Sequence, residues 1–317
     1  MFALALAATA AAMSAAGYQS MAATGQWYGK TFTGIRRGSK QLALTYDDGP
    51  NDPHTLRLLE VLAKHNVHAT FFLIGRYVQQ RPDIVREVVK AGNIVGNHTW
   101  SHPNLIFASA RQTTTELNTC EQAITQAIGQ HSPLFRPPFG GRRPGTLRIA
   151  RSLGLVPVMW SVSGQDWKSY SANEIKQRIR RQIRGGDVIL LHDGSHTGMG
   201  VDRSQTIIAT DLLIPEAKSE GFEFVTIPGM MNTSAVSRER SMALYDTVEG
   251  RACFYCLRHR ERAALPGPRY ETQWRWASAP VVALRGAPGL KPMSKAAQRG
   301  AKPPLFRGCV NDRMVPR

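Results

Sequence analysis

Cysteine is scarce in this chain. The four present, Cys120, Cys253, Cys256 and Cys309, are too few and too scattered over 317 residues for a disulfide framework. The Cys253-x-x-Cys256 pair fits a redox or metal pair in spacing only, and it reads as incidental. Acidic residues are also short, 23 against 40 Lys and Arg, leaving a net charge of +17. No nucleic-acid-binding motif accompanies that charge, which argues against a specific nucleic-acid partner and leaves anionic surfaces in view. Beyond the N-terminus no apolar run approaches the ~20 residues of a membrane-spanning helix.

The exception begins Met1-Phe2-Ala3-Leu4-Ala5-Leu6 and stays Ala-rich to about Gly17. Its length and small residues resemble a signal-peptide core, although no Lys or Arg precedes it. Residues 1–25 are therefore expected to be a signal-like or anchor segment. The protein would then be exported or held at the cell envelope, as a periplasmic, secreted or membrane-anchored form.

The positive charge is uneven. From Met231 onward 16 basic residues face 6 acidic ones, a net of +10. Pro, Gly and Ala dominate there, so residues 231–317 are expected to be a disordered basic tail. Such a tail suits an anionic envelope surface. Trp274 and Trp276 leave room for a short binding element within it.

Between these ends, short apolar runs alternate with helical patterns. Strands are expected at Gln41–Tyr46, Ala69–Ile74, Ile94–His98, Leu134–Arg136, Val156–Trp160, Val188–His192 and Phe222–Thr226. Leu56, Leu59, Leu62 and Ala63 are expected to share a helix face, as are Ile84, Val85, Val88 and Val89, closed by Gly92. Leu117, Cys120, Ile124 and Ile128 form another stripe. Ser171 and Glu174 form a capping box ahead of Ile175, Ile179 and Ile183. Repeated strand–helix units predict an α/β fold with a parallel sheet, a distorted (β/α)7 barrel over residues 40–228. An open doubly wound sheet is the alternative.

Polar residues collect at one end of these strands. Asp47 and Asp48 follow the first, His98 and His102 the third, and Arg136 the fourth. Asp166 follows the fifth and His192 ends the sixth. In βα barrels this rim is where active sites form. Two imidazoles and a carboxylate suit a divalent metal with an open position, so His98, His102 and Asp48 are the expected ligands. Asp47 is then free to act as general base on a water held by that metal. His192 would protonate the leaving group, with Asp166 holding its ring and Arg136 orienting Asp47 through paired hydrogen bonds. Taken singly, each of these last four reads equally well as a strand-end salt bridge.

The segments Thr45-Tyr-Asp-Asp-Gly-Pro50, Asn97-His-Thr-Trp-Ser-His102, Arg136-Pro-Pro-Phe-Gly140, Asp166-Trp167 and Leu190-Leu-His-Asp-Gly194 resemble the polysaccharide deacetylase family. The family is also known as the NodB-homology domain or carbohydrate esterase family four. The resemblance implies metal-dependent removal of N-acetyl or O-acetyl groups from a glycan such as chitin-like polymer or peptidoglycan. Zn2+ is the implied metal, with Co2+ or Mn2+ as alternatives. It implies the roles given above and places Pro138, Phe139 and Gly140 at the substrate, the backbone N–H at 139 stabilising the oxyanion. Trp167 and Leu190 are implied to be apolar walls for the acetyl methyl. Phe139 stands where many members carry Tyr, which leaves the substrate open.

Rival readings are a catalytically weak glycan-binding module on the same fold and a small-amide hydrolase. An iron-dependent oxygenase would also use two His and a carboxylate, but it gives Asp47 and His192 no task. The sequence leaves the polymer, the metal and the oligomeric state open.

Overall fold

The computed structural model describes residues 2–232. The Cys253/Cys256 pair and, after its first two residues, the basic tail lie outside the described residues. The Ala-rich leader forms helix α1 (Phe2–Met21), in keeping with the high helix propensity of Ala. Among the described residues no helix is long and apolar enough to cross a membrane. The end of α1 is tied to the rest of the molecule through Arg142, which is 1% exposed. The Arg142 guanidinium donates to the carbonyls of Ala22 at 2.7 Å and Gly25 at 2.6 Å. It also donates to Gly140 at 2.9 Å, and the Arg142 backbone N–H donates to Ser20 at 3.0 Å.

The elements then alternate. In chain order they are β1 (Gln41–Gly49), α2 (His54–Lys64), β2 (Thr70–Leu73), α3 (Gly75–Gln80), α4 (Pro82–Lys90), β3 (Ile94–Asn97), α5 (Ala110–Ile128) and β4 (Leu134–Phe135). There follow α6 (Pro144–Ser152), β5 (Val156–Pro157), β6 (Val162–Ser163), α7 (Ala172–Gln182), β7 (Asp187–His192), α8 (Ser204–Ser219) and β8 (Glu223–Phe224).

All ladders are parallel, in the order β5-β4-β3-β2-β1-β7-β6. The two edges are consecutive in sequence. Val158 donates its N–H to Phe135 of β4, and Ser161 donates to Val188 of β7. The expected fifth strand, Val156–Trp160, bonds β4 at its start, and the chain then bends so that the residues just after it, Ser161–Ser163, bond β7. This bend curls the sheet into a distorted barrel. β8 pairs only with the start of β1, at Gln41 and Leu42, below the point where β2 begins to pair at Thr45.

Strand alternation sorts the side chains. Leu42, Leu44 and Tyr46 of β1 pack outward with Leu58, Val85, Ile124 and Ile175 from the helices. Ala43 points the other way, into a smaller cluster with Phe72, Val158 and Val188. Continuing this period of two turns Thr45 and Asp47 into the barrel.

The helix stripes are largely as expected. Leu117, Cys120 and Ile124 are buried on α5, and Ile84, Val85 and Val88 on α4. On α2 the buried stripe is Leu58, Leu59 and Leu62, while Leu56 is half-buried and Ala63 exposed. The expected face there was rotated by part of a turn. The Ser171–Glu174 capping box is present at α7, and Gly92 closes α4 with φ +79.

Candidate active site

Asp47 and Asp48 sit in the last turn of β1, within the strand and not after it. Asp47 is in register with His192 of β7 and Phe72 of β2. Its neighbour would face the helices if alternation continued. Instead the β1–β2 register shifts between Asp47 and Gly49, and Asp48 adopts φ +73. The bulge brings both carboxylates to the same mouth.

Six non-glycine residues among those described have positive φ. Five lie at or beside the rim: Asp48, Thr99, His102, Phe139 and Gln165. Backbone strain of this kind costs ~1–3 kcal/mol per residue and gathers at functional sites. Close backbone packing locks the rim. A Cβ on Gly194 would meet the carbonyl of Asp48 at 2.1 Å, so only glycine fits there.

Asp48, His98 and His102 converge, and all three are buried. Asp48 Oδ1 lies 3.4 Å from His98 Nε2 and 3.2 Å from His102 Nε2. His98 Nδ1 pairs with the carbonyl of Arg136 at 2.8 Å, which places the ring proton there and turns the lone pair of Nε2 toward Asp48. Asp48 Oδ1 is buried with no hydrogen-bond donor. Lone pairs facing one another in a buried cluster fit a cation between them. Burial lowers the His102 imidazole, which keeps it neutral and able to ligate.

Asp47 faces a different partner. Its Oδ1 accepts from Arg136 Nη1 at 2.7 Å. The expected paired hydrogen bonds are not formed. The same Nη1 also donates to Thr45 Oγ1 at 2.8 Å, Nε to Val158 O and Nη2 to Met159 O. Val158 and Met159 belong to the bent segment that closes the barrel, so the fork is divided between Asp47 and the closure. Arg136 is fully buried and lies 4.1 Å above the Phe72 ring.

His192 meets Asp166 across the barrel mouth. Its Nδ1 lies 2.9 Å from Asp166 Oδ1, and its backbone N–H donates to Oδ2 at 2.7 Å. Thr206 Oγ1 donates to the same Oδ2 at 2.8 Å. Burial alone would lower the imidazole. The charges of Asp166, Asp48 and Asp47 overcome it and raise His192 to about 9.

A cavity of about 460 Å³ opens on these groups. Asp47, Asp48, His98, His102 and His192 form its floor. Phe139, Gly140, Trp167 and Leu190 also line it. Trp167 meets His192 edge to face with centroids 5.3 Å apart. Pro138 is buried and does not join the wall, and Arg136 and Asp166 lie behind it. Sequence reasoning missed Trp160, Ser195, His196, Thr197 and Arg203, which also line the cavity. Four of them lie beyond the Leu-Leu-His-Asp-Gly segment, on a loop with no periodic signal. Asp193 was missed too. Burial, helped by the charges of Asp48 and Asp47, pushes its carboxyl up to about 7 against a hydrogen bond from Thr55.

The sequence pattern of the polysaccharide deacetylase family matches residues 34–158. A peptidoglycan-N-acetylglucosamine deacetylase of Bacillus cereus is 37% identical over 196 residues, 61% of this chain and 69% of the relative. A chitooligosaccharide deacetylase of Bradyrhizobium sp. is 37% identical over 198 residues, 60% of this chain and 90% of the relative. Among solved structures, the Bc1960 peptidoglycan N-acetylglucosamine deacetylase superposes with a TM-score of 0.59 at 34% identity. That match covers 63% of this chain and 91% of the other. A pseudoenzyme of carbohydrate esterase family four from Bacillus anthracis gives 0.58 at 30% identity, covering 63% and 68%. The chain belongs to the polysaccharide deacetylase family. It is accordingly a hydrolase of that class, with the curled parallel barrel of its relatives.

Proposed function

We propose that this protein is a metal-dependent deacetylase of an N-acetylated amino-sugar polymer, and that Asp48, His98 and His102 hold the metal. The observation that carries the reading is the cluster of two imidazole nitrogens around a donorless carboxylate oxygen, beside a second carboxylate. A divalent ion held there would act as a Lewis acid on the acetyl carbonyl and lower the pKa of water. Nitrogen and carboxylate ligands suit Zn2+, and Co2+ or Mn2+ fit the same donors.

The remaining groups divide the proton work. Asp47, held by Arg136 through Oδ1, accepts the proton of the attacking water at Oδ2, which lies 3.8 Å from His98 Nε2. The backbone N–H of Phe139, a residue lining the cavity, would stabilise the oxyanion that develops on the acetyl oxygen. His192, charged and steered by Asp166, returns a proton to the amine as the C–N bond breaks. Trp167 and Leu190 enclose the methyl group. Similarity to peptidoglycan and chito-oligosaccharide deacetylases points to a β-linked N-acetylglucosamine chain as substrate. An exported or envelope location would bring the enzyme to such a polymer. The basic segment over 231–317 would add attraction to an anionic surface.

The test is acetate release from chito-oligosaccharides, peptidoglycan and acetylated xylan by purified protein of measured metal content. Release from an N-acetylated glycan that is lost in Asp47→Asn, with metal retained, supports the reading. Metal-loaded protein that binds glycan and releases no acetate would instead make it a binding module without turnover.

A further inference from the structure

His196 has no part in the chemistry above, yet it stands at the mouth of the cavity. Its ring stacks on His102 with centroids 4.7 Å apart and planes at 15°. Phe139 meets the same ring edge to face at 5.2 Å and meets His102 at 4.6 Å. Three rings thus form one corner of the entrance. Its outer members are half open to solvent, His196 with 43% of its side chain exposed and Phe139 at 46%.

The backbone holds both rings in place. Phe139 projects its side chain from a left-handed residue, φ 57, which a bulky side chain adopts only under constraint. The His196 carbonyl accepts from Arg76 Nη2 at 2.6 Å and Tyr77 Oη at 3.4 Å. On either side, Ser195 and Thr197 share a hydroxyl bond of 2.8 Å. Further along, Asn51 donates to Val201 O and accepts from Gly200 N. The loop is therefore fastened while the imidazole it carries makes no hydrogen bond within the described residues.

Two structural roles can be set aside. The cation cluster gathers on Asp48 Oδ1, whereas His196 Nδ1 faces Asp48 Oδ2 at 3.9 Å, outside the ligand group. A half-exposed ring with no hydrogen bond also contributes little to folding. What it offers is a fixed aromatic surface with a free polar edge. A pyranose presents the complementary surface, with C–H groups on one face and hydroxyls at the rim.

We propose that His196 is a specificity-determining residue that binds the sugar unit next to the one being deacetylated, hydrogen-bonding its hydroxyls while Phe139 carries its apolar face. The proposal rests on the deacetylase reading and deepens it. It makes the enzyme selective for a chain of amino sugars over a single one, because a monomer in the acetyl pocket leaves this corner empty.

The experiment compares wild type, His196→Ala and His196→Gln on N-acetylglucosamine and on its β-1,4-linked pentamer, in protein of measured metal content. His196→Ala should raise KM for the pentamer about tenfold while kcat falls no more than about twofold, the change expected from losing one hydrogen-bonding and stacking contact. The pentamer-to-monomer ratio of kcat/KM should drop by about the same factor, and His196→Gln should recover part of it. Equal losses of kcat on both substrates, or loss of metal, would overturn the proposal in favour of a support for His102. If wild type releases no acetate from any glycan, the deacetylase reading fails on its own. Pentamer binding by calorimetry then decides for His196: weaker binding in His196→Ala upholds the subsite, and equal binding ends it.

Discussion

Replacing Asp166 by Asn tests the proposed acid most directly, because it removes a charge and leaves the shape of the site nearly intact. His192 is raised to about 9 against a burial effect that pulls the other way, and Asp166 is the largest charge supporting it. An imidazole must be protonated to donate, so the raised value extends activity toward alkaline pH. Without the Asp166 charge, His192 should fall to its ordinary 6.5 or below. At pH 8 the protonated fraction then drops from ~90% to ~3%, a loss of ~30-fold, while at pH 6 the loss is less than ~2-fold. The defect should therefore grow with pH. These fractions belong to the metal-free site; a bound divalent ion opposes the carboxylate charges around His192 and moves both profiles to lower pH, so the assay reads the separation of the two alkaline limbs. The assay is kcat/KM for acetate release between pH 5.5 and 9.5 with the metal saturating. A loss of equal size at every pH, with the alkaline limb unmoved, would refute the assignment of His192 as the acid held by Asp166.

Three further outcomes are expected. Stability of the metal-free protein should be greatest with His192 charged, fully present below pH 6.5 and lost as pH rises through about 9; Asp166→Asn should flatten that slope in urea titrations. Arg136→Met should cost roughly 3–5 kcal/mol of unfolding free energy, because it strands the buried Asp47 carboxylate; a loss under about 1 kcal/mol would show that the pair is solvated. Zn2+ at a hundredfold excess over its Kd should stabilise wild type by about 2.7 kcal/mol in thermal unfolding and should do nothing for the double variant His98→Ala, His102→Ala. Equal stabilisation of that variant would place the metal elsewhere.

The amino-acid sequence alone determined where the chemistry would gather. Short apolar runs, four of the seven ending at or directly before Asp, His or Arg, are enough to predict parallel strands with a polar rim, because side-chain period and connection chirality act locally. The capping box at Ser171 and the stripes on α4 and α5 are of the same kind. Four matters were decided only in three dimensions. The expected strand Val156–Trp160 pairs with β4 only at its start, and the chain then bends so that Val162 and Ser163, outside the expected bounds, pair with β7. Asp48 joins Asp47 at one mouth only because a bulge at φ +73 interrupts the alternation. Arg136 spreads its donors over Thr45, Asp47 and the closing segment, since burial requires every N–H to find a partner. His196 has no periodicity to reveal it, and its position is fixed by Arg76 and Tyr77, about 120 residues earlier in the chain. Such contacts couple distant parts of the chain, and local pattern carries no information about them.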